Sequence, residues 1–327
     1  MRASNRSIGL SCLAILLGCT NADLPVLSEV DSARETLSVE HTASAALAEA
    51  PESPSVETEP SEATVESSDE PVYPKDQPSI DDLLLLFPAK HPNGNWNPND
   101  LDYEDVWITS DDGTKIHGWF CSCDNPRAYV LYAHGNAGNL THRSALLKRL
   151  QSEVRVTTLI FDYRGYDRRD GSPTTVGAIA DMRGASKFLA RKAGVKESQL
   201  VLMGRSLGGA SAIQLASDTQ PRGLIVESTF PSLKQVATHH YPNLAWLVPR
   251  DKLNSRAAIG SYKGPLLYSH GTHDQTIPYE LGVDLFDEAN DPKRFIAIED
   301  ADHNDSMPNF NYDALSEFID DLPRQRN

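Results

Sequence analysis

A serine that is to act as a nucleophile needs a neighbourhood that presents its hydroxyl, and Gly204-Arg205-Ser206-Leu207-Gly208-Gly209 supplies one. The apolar run Gln199-Leu-Val-Leu-Met203 precedes it and a helical pattern over residues 210–216 follows, so the spacing predicts a strand, a sharp turn and a helix. Flanking glycines suit such a turn, because the serine backbone is strained and only Cα hydrogens fit against neighbouring strands. A helix opening at Leu207 brings that residue's N–H and its own N-terminal dipole to a developing oxyanion. The chemistry would be attack on an acyl carbon.

Attack needs a base, and an acid that orients the base. Residues 265–269 read as a buried strand running into His270-Gly271-Thr272-His273-Asp274, and residues 294–298 as another running into Glu299-Asp300-Ala301-Asp302-His303-Asn304-Asp305. Loops after consecutive strands reach one sheet edge, which places Asp274 and His303 beside Ser206. His303 would take and return the proton while Asp274 fixes its tautomer and stabilises the imidazolium. His270 and His273 are rivals as base, although they precede the acid on its own loop. Asp302 and Asp305 are rivals as acid, disfavoured by their adjacency to His303, and Glu227 at another strand end is a better second choice. The small residues of His134-Gly135-Asn136-Ala137-Gly138-Asn139 follow a further buried strand and allow a second backbone N–H to face the oxyanion. His134 itself reads as scaffold.

The elements that must position these residues alternate along the chain. Residues 103–109 and 115–121 predict a hairpin turning at Asp111-Asp-Gly113. Residues 128–133, 156–161, 200–203 and 223–226 are continuous apolar runs, as strands buried on both faces should be. Helical patterns over 144–151, 176–192 and 207–217 separate them, and 81–87 predicts a short helix on the domain's edge. This order implies an α/β fold, a mostly parallel central sheet with helices on both faces, in one domain over residues 81–327.

The blocks His134 to Asn139, Asp162-Tyr-Arg-Gly-Tyr166, Gly204 to Gly209, Glu227-Ser-Thr-Phe230 and His270 to Asp274, through His303, resemble the α/β-hydrolase superfamily. The resemblance spans about residues 83–322 and is nearest the serine-aminopeptidase-like and esterase-like branch with a short cap. It implies Ser206, Asp274 and His303 as the catalytic triad, in that superfamily's chain order, with Asn136 or Ala137 and Leu207 at the oxyanion hole. Where the family usually has a glycine after Tyr166, Asp167-Arg168-Arg169-Asp170 stands here.

An insertion over about residues 228–264 forms the cap; it is short, so an open site is expected. Its Tyr241, Leu244, Trp246 and Leu247 either line an acyl pocket or touch lipid, or else pack the cap onto the domain, which is the preferred reading. His239 and His240, with no carboxylate near in sequence, are expected at the surface. Arg205 would meet an anionic substrate group or form a structural ion pair.

The remaining sequence is of another kind. The 327 residues carry 30 Lys and Arg against 46 Asp and Glu, a net charge of −16 that disfavours nucleic acid as partner. Apolar runs fall short of the ~18 residues a spanning helix needs. Residues 20–80 hold fourteen acids, two bases, seven prolines and no glycine, so they predict a disordered acidic tether. Ahead of them, Arg2 and Arg6 precede the eleven-residue apolar stretch from Ile8 to Gly18, a signal-peptide length. Its end, Leu16-Leu17-Gly18-Cys19, resembles a bacterial lipobox, in which Cys19 is lipidated and anchors the exported chain to a membrane. Cys121 and Cys123 read as small residues at a strand end, since their alternation suits no disulfide and no second ligand pair completes a zinc site. The expectation is a membrane-anchored serine hydrolase, a monomer without metal or cofactor, that cleaves carboxylic esters or thioesters. An aminopeptidase or other amidase of the same fold, or a catalytically silent envelope binding protein, is the alternative.

Overall fold

Strands covered on both faces must be apolar at every position, and such strands form the centre of this molecule. The structure, a computed structural model, describes residues 78–79, 82, 85–166, 172–249, 252–305 and 307–323. The leader with Cys19, the acidic segment as far as residue 77 and the loop Asp167 to Asp170 lie outside the described residues.

Eight strands, β1 (Glu104–Thr109), β2 (Lys115–Cys121), β3 (Tyr129–Ala133), β4 (Thr157–Phe161), β5 (Val201–Arg205), β6 (Gly223–Glu227), β7 (Leu266–Gly271) and β8 (Lys293–Ile298), make one sheet in the order β8-β7-β6-β5-β3-β4-β2-β1. The β1–β2 and β2–β4 pairings are antiparallel and the others parallel. Alternate side chains enter two separate cores: Leu131, Leu159, Leu202 and Val226 on one face, Val130, Ile160, Met203 and Ile225 on the other. Helices α2 (Thr175–Ala193), α3 (Leu207–Thr219), α5 (Ser255–Ile259) and α6 (Tyr279–Asp287) contribute to the first core, with α4 (Leu233–His240) from the cap. Helices α1 (Ser144–Arg149) and α7 (Asn309–Asp321) cover the second.

The expected α/β fold is observed, with differences at particular ends. Asp82 and Leu85 are helical, but Phe87–Pro88 instead pairs with Ala137–Gly138 as a two-residue strand. A residue before proline is disfavoured in the α region, so Phe87 leaves the helix. Strand β7 runs two residues past its expected end, which takes His270 into the strand and out of the loop. Cys121 and Cys123 are free thiols, and burial pushes Cys121 up to about 12.

Candidate active site

Strand β5 ends at Arg205 and α3 begins at Leu207, so the whole turn falls on Ser206. Its φ of 55° and ψ of −121° lie where side chains are rarely tolerated. Two bonds to the neighbouring strand and its extension hold that strain: Ser206 N–H donates to the Glu227 carbonyl at 2.9 Å, and the Thr229 hydroxyl donates to the Ser206 carbonyl at 2.9 Å. The flanking glycines are needed because strand and helix touch. A Cβ on Gly204 would stand 2.2 Å from the Gly208 carbonyl oxygen, and one on Gly208 would stand 2.0 Å from that of Ala133.

The three residues expected at the sheet edge are brought into one chain of hydrogen bonds. The Ser206 hydroxyl lies 3.2 Å from His303 Nε2, and His303 Nδ1 lies 2.8 Å from Asp274 Oδ2. The ring's single N–H, on Nδ1, therefore goes to the carboxylate, which leaves Nε2 to accept from Ser206. Asp274 Oδ1 accepts from the N–H groups of Thr276 at 2.9 Å and Ile277 at 2.7 Å. Burial alone would raise the Asp274 carboxyl, but hydrogen bonds from His270 and His303 hold it well below the usual carboxylate range. All three side chains are buried, with Ser206 2 % exposed.

The rivals have other places. His270 is buried on the far side of the acid, with Nε2 2.8 Å from the Ile277 carbonyl and 3.3 Å from Asp274. His273 is exposed and stands 3.4 Å from Asp300. Asp302 Oδ1 accepts from Gln275 N–H at 2.9 Å and His303 N–H at 2.7 Å, pinning the base's loop to the acid's. Asp305 Oδ2 accepts from Asp302 N–H at 2.8 Å. Arg205 is half-buried and has no carboxylate partner among the described residues: its guanidinium donates to the carbonyls of His303 and Asp305. Sequence reasoning missed these bracing roles, although an Asp just ahead of a turn residue is a known signal for side chain to backbone bonding.

On the other side of Ser206, a Cβ added to Gly135 would stand 3.6 Å from the Ser206 Cβ, an ordinary van der Waals contact. The Asn136 side chain is turned away to the Leu85 carbonyl at 2.8 Å, and its N–H has no acceptor among the described residues. Leu207, at the first position of α3, has no intrahelical acceptor for its N–H. Ala137 belongs to the two-residue strand beside Phe87. The block Asp162 to Tyr166 is the support for this turn. Asp162 Oδ1 holds His134 Nε2 at 3.1 Å and Leu140 N–H at 2.9 Å, while the Tyr163 and Tyr166 hydroxyls donate to the carbonyls of His134 and Asn136. His134 thus has a scaffold's contacts.

The cap corrects one expectation. Tyr241 is half-buried at the end of α4, but Leu244, Trp246 and Leu247 are exposed and pack nothing onto the domain. Ala245 is the residue of that turn that points inward. His239 is at the surface as expected; His240 is half-buried, with Nε2 3.0 Å from the Thr276 carbonyl.

A model of the alpha/beta hydrolase family matches residues 116–319. The uncharacterized protein YfhR of Salmonella typhi is 32 % identical over 249 residues, covering 69 % of this chain and 85 % of its own. Protein bem46 of Schizosaccharomyces pombe is 28 % identical over 252 residues, 72 % of this chain and 84 % of its own. Among solved structures, an esterase of Pyrococcus furiosus superposes with a TM-score of 0.61 at 22 % identity, covering 73 % of this chain and 98 % of that one. That likeness speaks to the fold alone. The family match runs from β2 into α7 and takes in all three of those residues: the chain belongs to the alpha/beta hydrolase family.

Proposed function

We propose that the protein is a serine hydrolase that cleaves carboxylic esters or thioesters through an acyl-enzyme. The observation that carries the reading is the continuous path from a serine at positive φ, through His303, to a carboxylate held by four donors. Ser206 Oγ attacks the acyl carbon as His303 Nε2 takes its proton, and the tetrahedral oxyanion faces the N–H of Leu207 and of Asn136 or Ala137. His303 returns the proton to the departing alcohol or thiol. Water, deprotonated by the same nitrogen, then releases the acid and regenerates Ser206.

The test is hydrolysis of p-nitrophenyl esters from acetyl to palmitoyl by the protein and by Ser206→Ala. Turnover should fall at least about 10³-fold in the variant. Retained turnover would sink the mechanism, whereas hydrolysis of anilides but not esters would move the protein to the amidase reading. Labelling by a fluorophosphonate, lost in Ser206→Ala, separates an enzyme from a silent binding protein.

We also propose that the chain is exported and held at a membrane by acyl chains on Cys19, because the lipobox-like end of the apolar leader supports that reading. Cys19→Ala should release the protein from the membrane fraction and abolish incorporation of labelled fatty acid. Unchanged fractionation and labelling would rule the anchor out.

A further inference from the structure

Six large apolar side chains are exposed among the described residues, and three of them fall within four positions of the cap. Leu244, Trp246 and Leu247 are 49, 74 and 58 % exposed on the turn after α4, where Ala245–Leu247 forms a single 3₁₀ turn. The turn belongs to the active-site end of the sheet. The last residue of α4, His240, contacts the Thr276 carbonyl, and Thr276 N–H donates to Asp274. Beyond the turn, Lys252 bonds Asp82 at 2.9 Å, and the same carboxylate accepts from Thr175 N–H at 3.0 Å. The residue after Thr175, Val176, is another of the exposed six.

The charge of this region runs against that of the chain. Residues 228–250 contain no Asp or Glu, and the whole cap over 228–264 has five Lys and Arg against Asp251 alone, net +4 in a chain of −16. Lys252 and Arg256 are committed to Asp82 and Glu288. Lys234 and Arg250 flank the exposed turn in sequence.

We infer that the cap is a membrane-docking surface: Leu244, Trp246 and Leu247 enter the headgroup layer of an anionic bilayer, with Lys234 at the phosphates. An indole is suited to that layer because its body is apolar and its N–H polar. Basic residues bracketing Trp and Leu are the composition of segments that lie in the interface. A second copy is a poorer occupant, since a symmetric contact would oppose two basic caps. The acidic residues 20–80 match the charge but bring a single aromatic, Tyr73, to cover the ring. Docking would turn the edge that carries Ser206 toward the lipid. It does not rest on Cys19, which would hold the chain near a membrane without orienting it, nor on turnover at Ser206.

The experiment is titration of the full chain with phosphatidylglycerol vesicles whose acyl chains are brominated near the headgroup, read by tryptophan emission. The chain has four tryptophans, so variants assign the signal. Quenching is expected in the wild type and in Trp107→Phe, and it should vanish in Trp246→Phe. Lys234→Gln should weaken vesicle binding about fivefold, as expected for one cation at an anionic surface. Equal quenching in Trp246→Phe and wild type would overturn the inference, as would no quenching at all. An emission from Trp246, taken as the difference between wild type and Trp246→Phe, that is already blue-shifted and indifferent to vesicles would overturn it too, assigning the patch to the acidic segment or a second copy. No readout involves hydrolysis, and failure of the Cys19 or Ser206 readings leaves each outcome interpretable.

Discussion

Glu227 ends β6 opposite Arg205 in the sheet register, yet its Oε1 is buried with no hydrogen-bond partner among the described residues. Burial pushes its carboxyl up to about 7, against the pull of the Arg205 and Arg143 charges. Neutral when folded and ionised when unfolded, the group makes folding take up a proton between its ordinary 4.5 and about 7. Stability is therefore undiminished below pH 4.5, falls as pH rises to 7 and stays lower above it, by about 3 kcal/mol in all. Asp274 has the opposite sign: its lowered carboxyl stabilises the fold above the ordinary 3.8 and loses that contribution as pH falls further. Glu227→Gln removes the first titration. Its advantage in thermal unfolding should grow from pH 4.5 to 7 and then level off; an offset that is constant with pH would show that Glu227 does not titrate in that window. Residue types and spacing brought both Glu227 and Asp274 to the sheet edge and put Asp274 first, Glu227 second, as the partner of His303. That choice depends on the path of the loop after β7, where Asp274 Oδ1 is tied to its own backbone at Thr276 and Ile277.

At the scale of elements, the long apolar runs were legible because burial on both faces leaves a strand no polar position, and β3 to β6 appear within one or two residues of expectation. His270 escaped for the complementary reason. A polar type was read as loop, whereas its ring is buried in β7 near Tyr268 and Tyr279. Helix α7 was legible but unread: Tyr312, Leu315, Phe318 and Ile319 follow helical spacing and all enter the second core. What no pattern could supply is the tie between the nucleophile's strand and the base's loop, because Arg205 donates to backbone carbonyls that every residue possesses. If that tie positions His303, Arg205→Met should lower kcat on a soluble ester by about 10- to 100-fold, the cost of a small misplacement of a reacting group. KM should stay within about twofold if Arg205 acts through the base's loop alone. An unchanged kcat would show that Asp302 and Asp305 brace the loop without it.

The whole molecule raises the question of where the folded domain begins. Ser79 N–H and hydroxyl both donate to Asp82 Oδ2, the Ser79 hydroxyl accepts from Lys252 at 2.9 Å, and Leu85 and Leu86 are buried in the first core. Residues 1–77 carry most of the excess acid, leaving net −6 for the remainder. At physiological salt, interactions between exposed charges more than about 8 Å apart are largely screened. Removing residues 1–77 should therefore leave the melting temperature within about 2 °C. Removing residues 1–88 deletes two buried leucines, worth about 4 kcal/mol by apolar burial. For a domain of this size that loss corresponds to a fall of roughly 10 °C. A large fall on the first truncation would mean that residues 1–77 contribute to the stability of the folded domain.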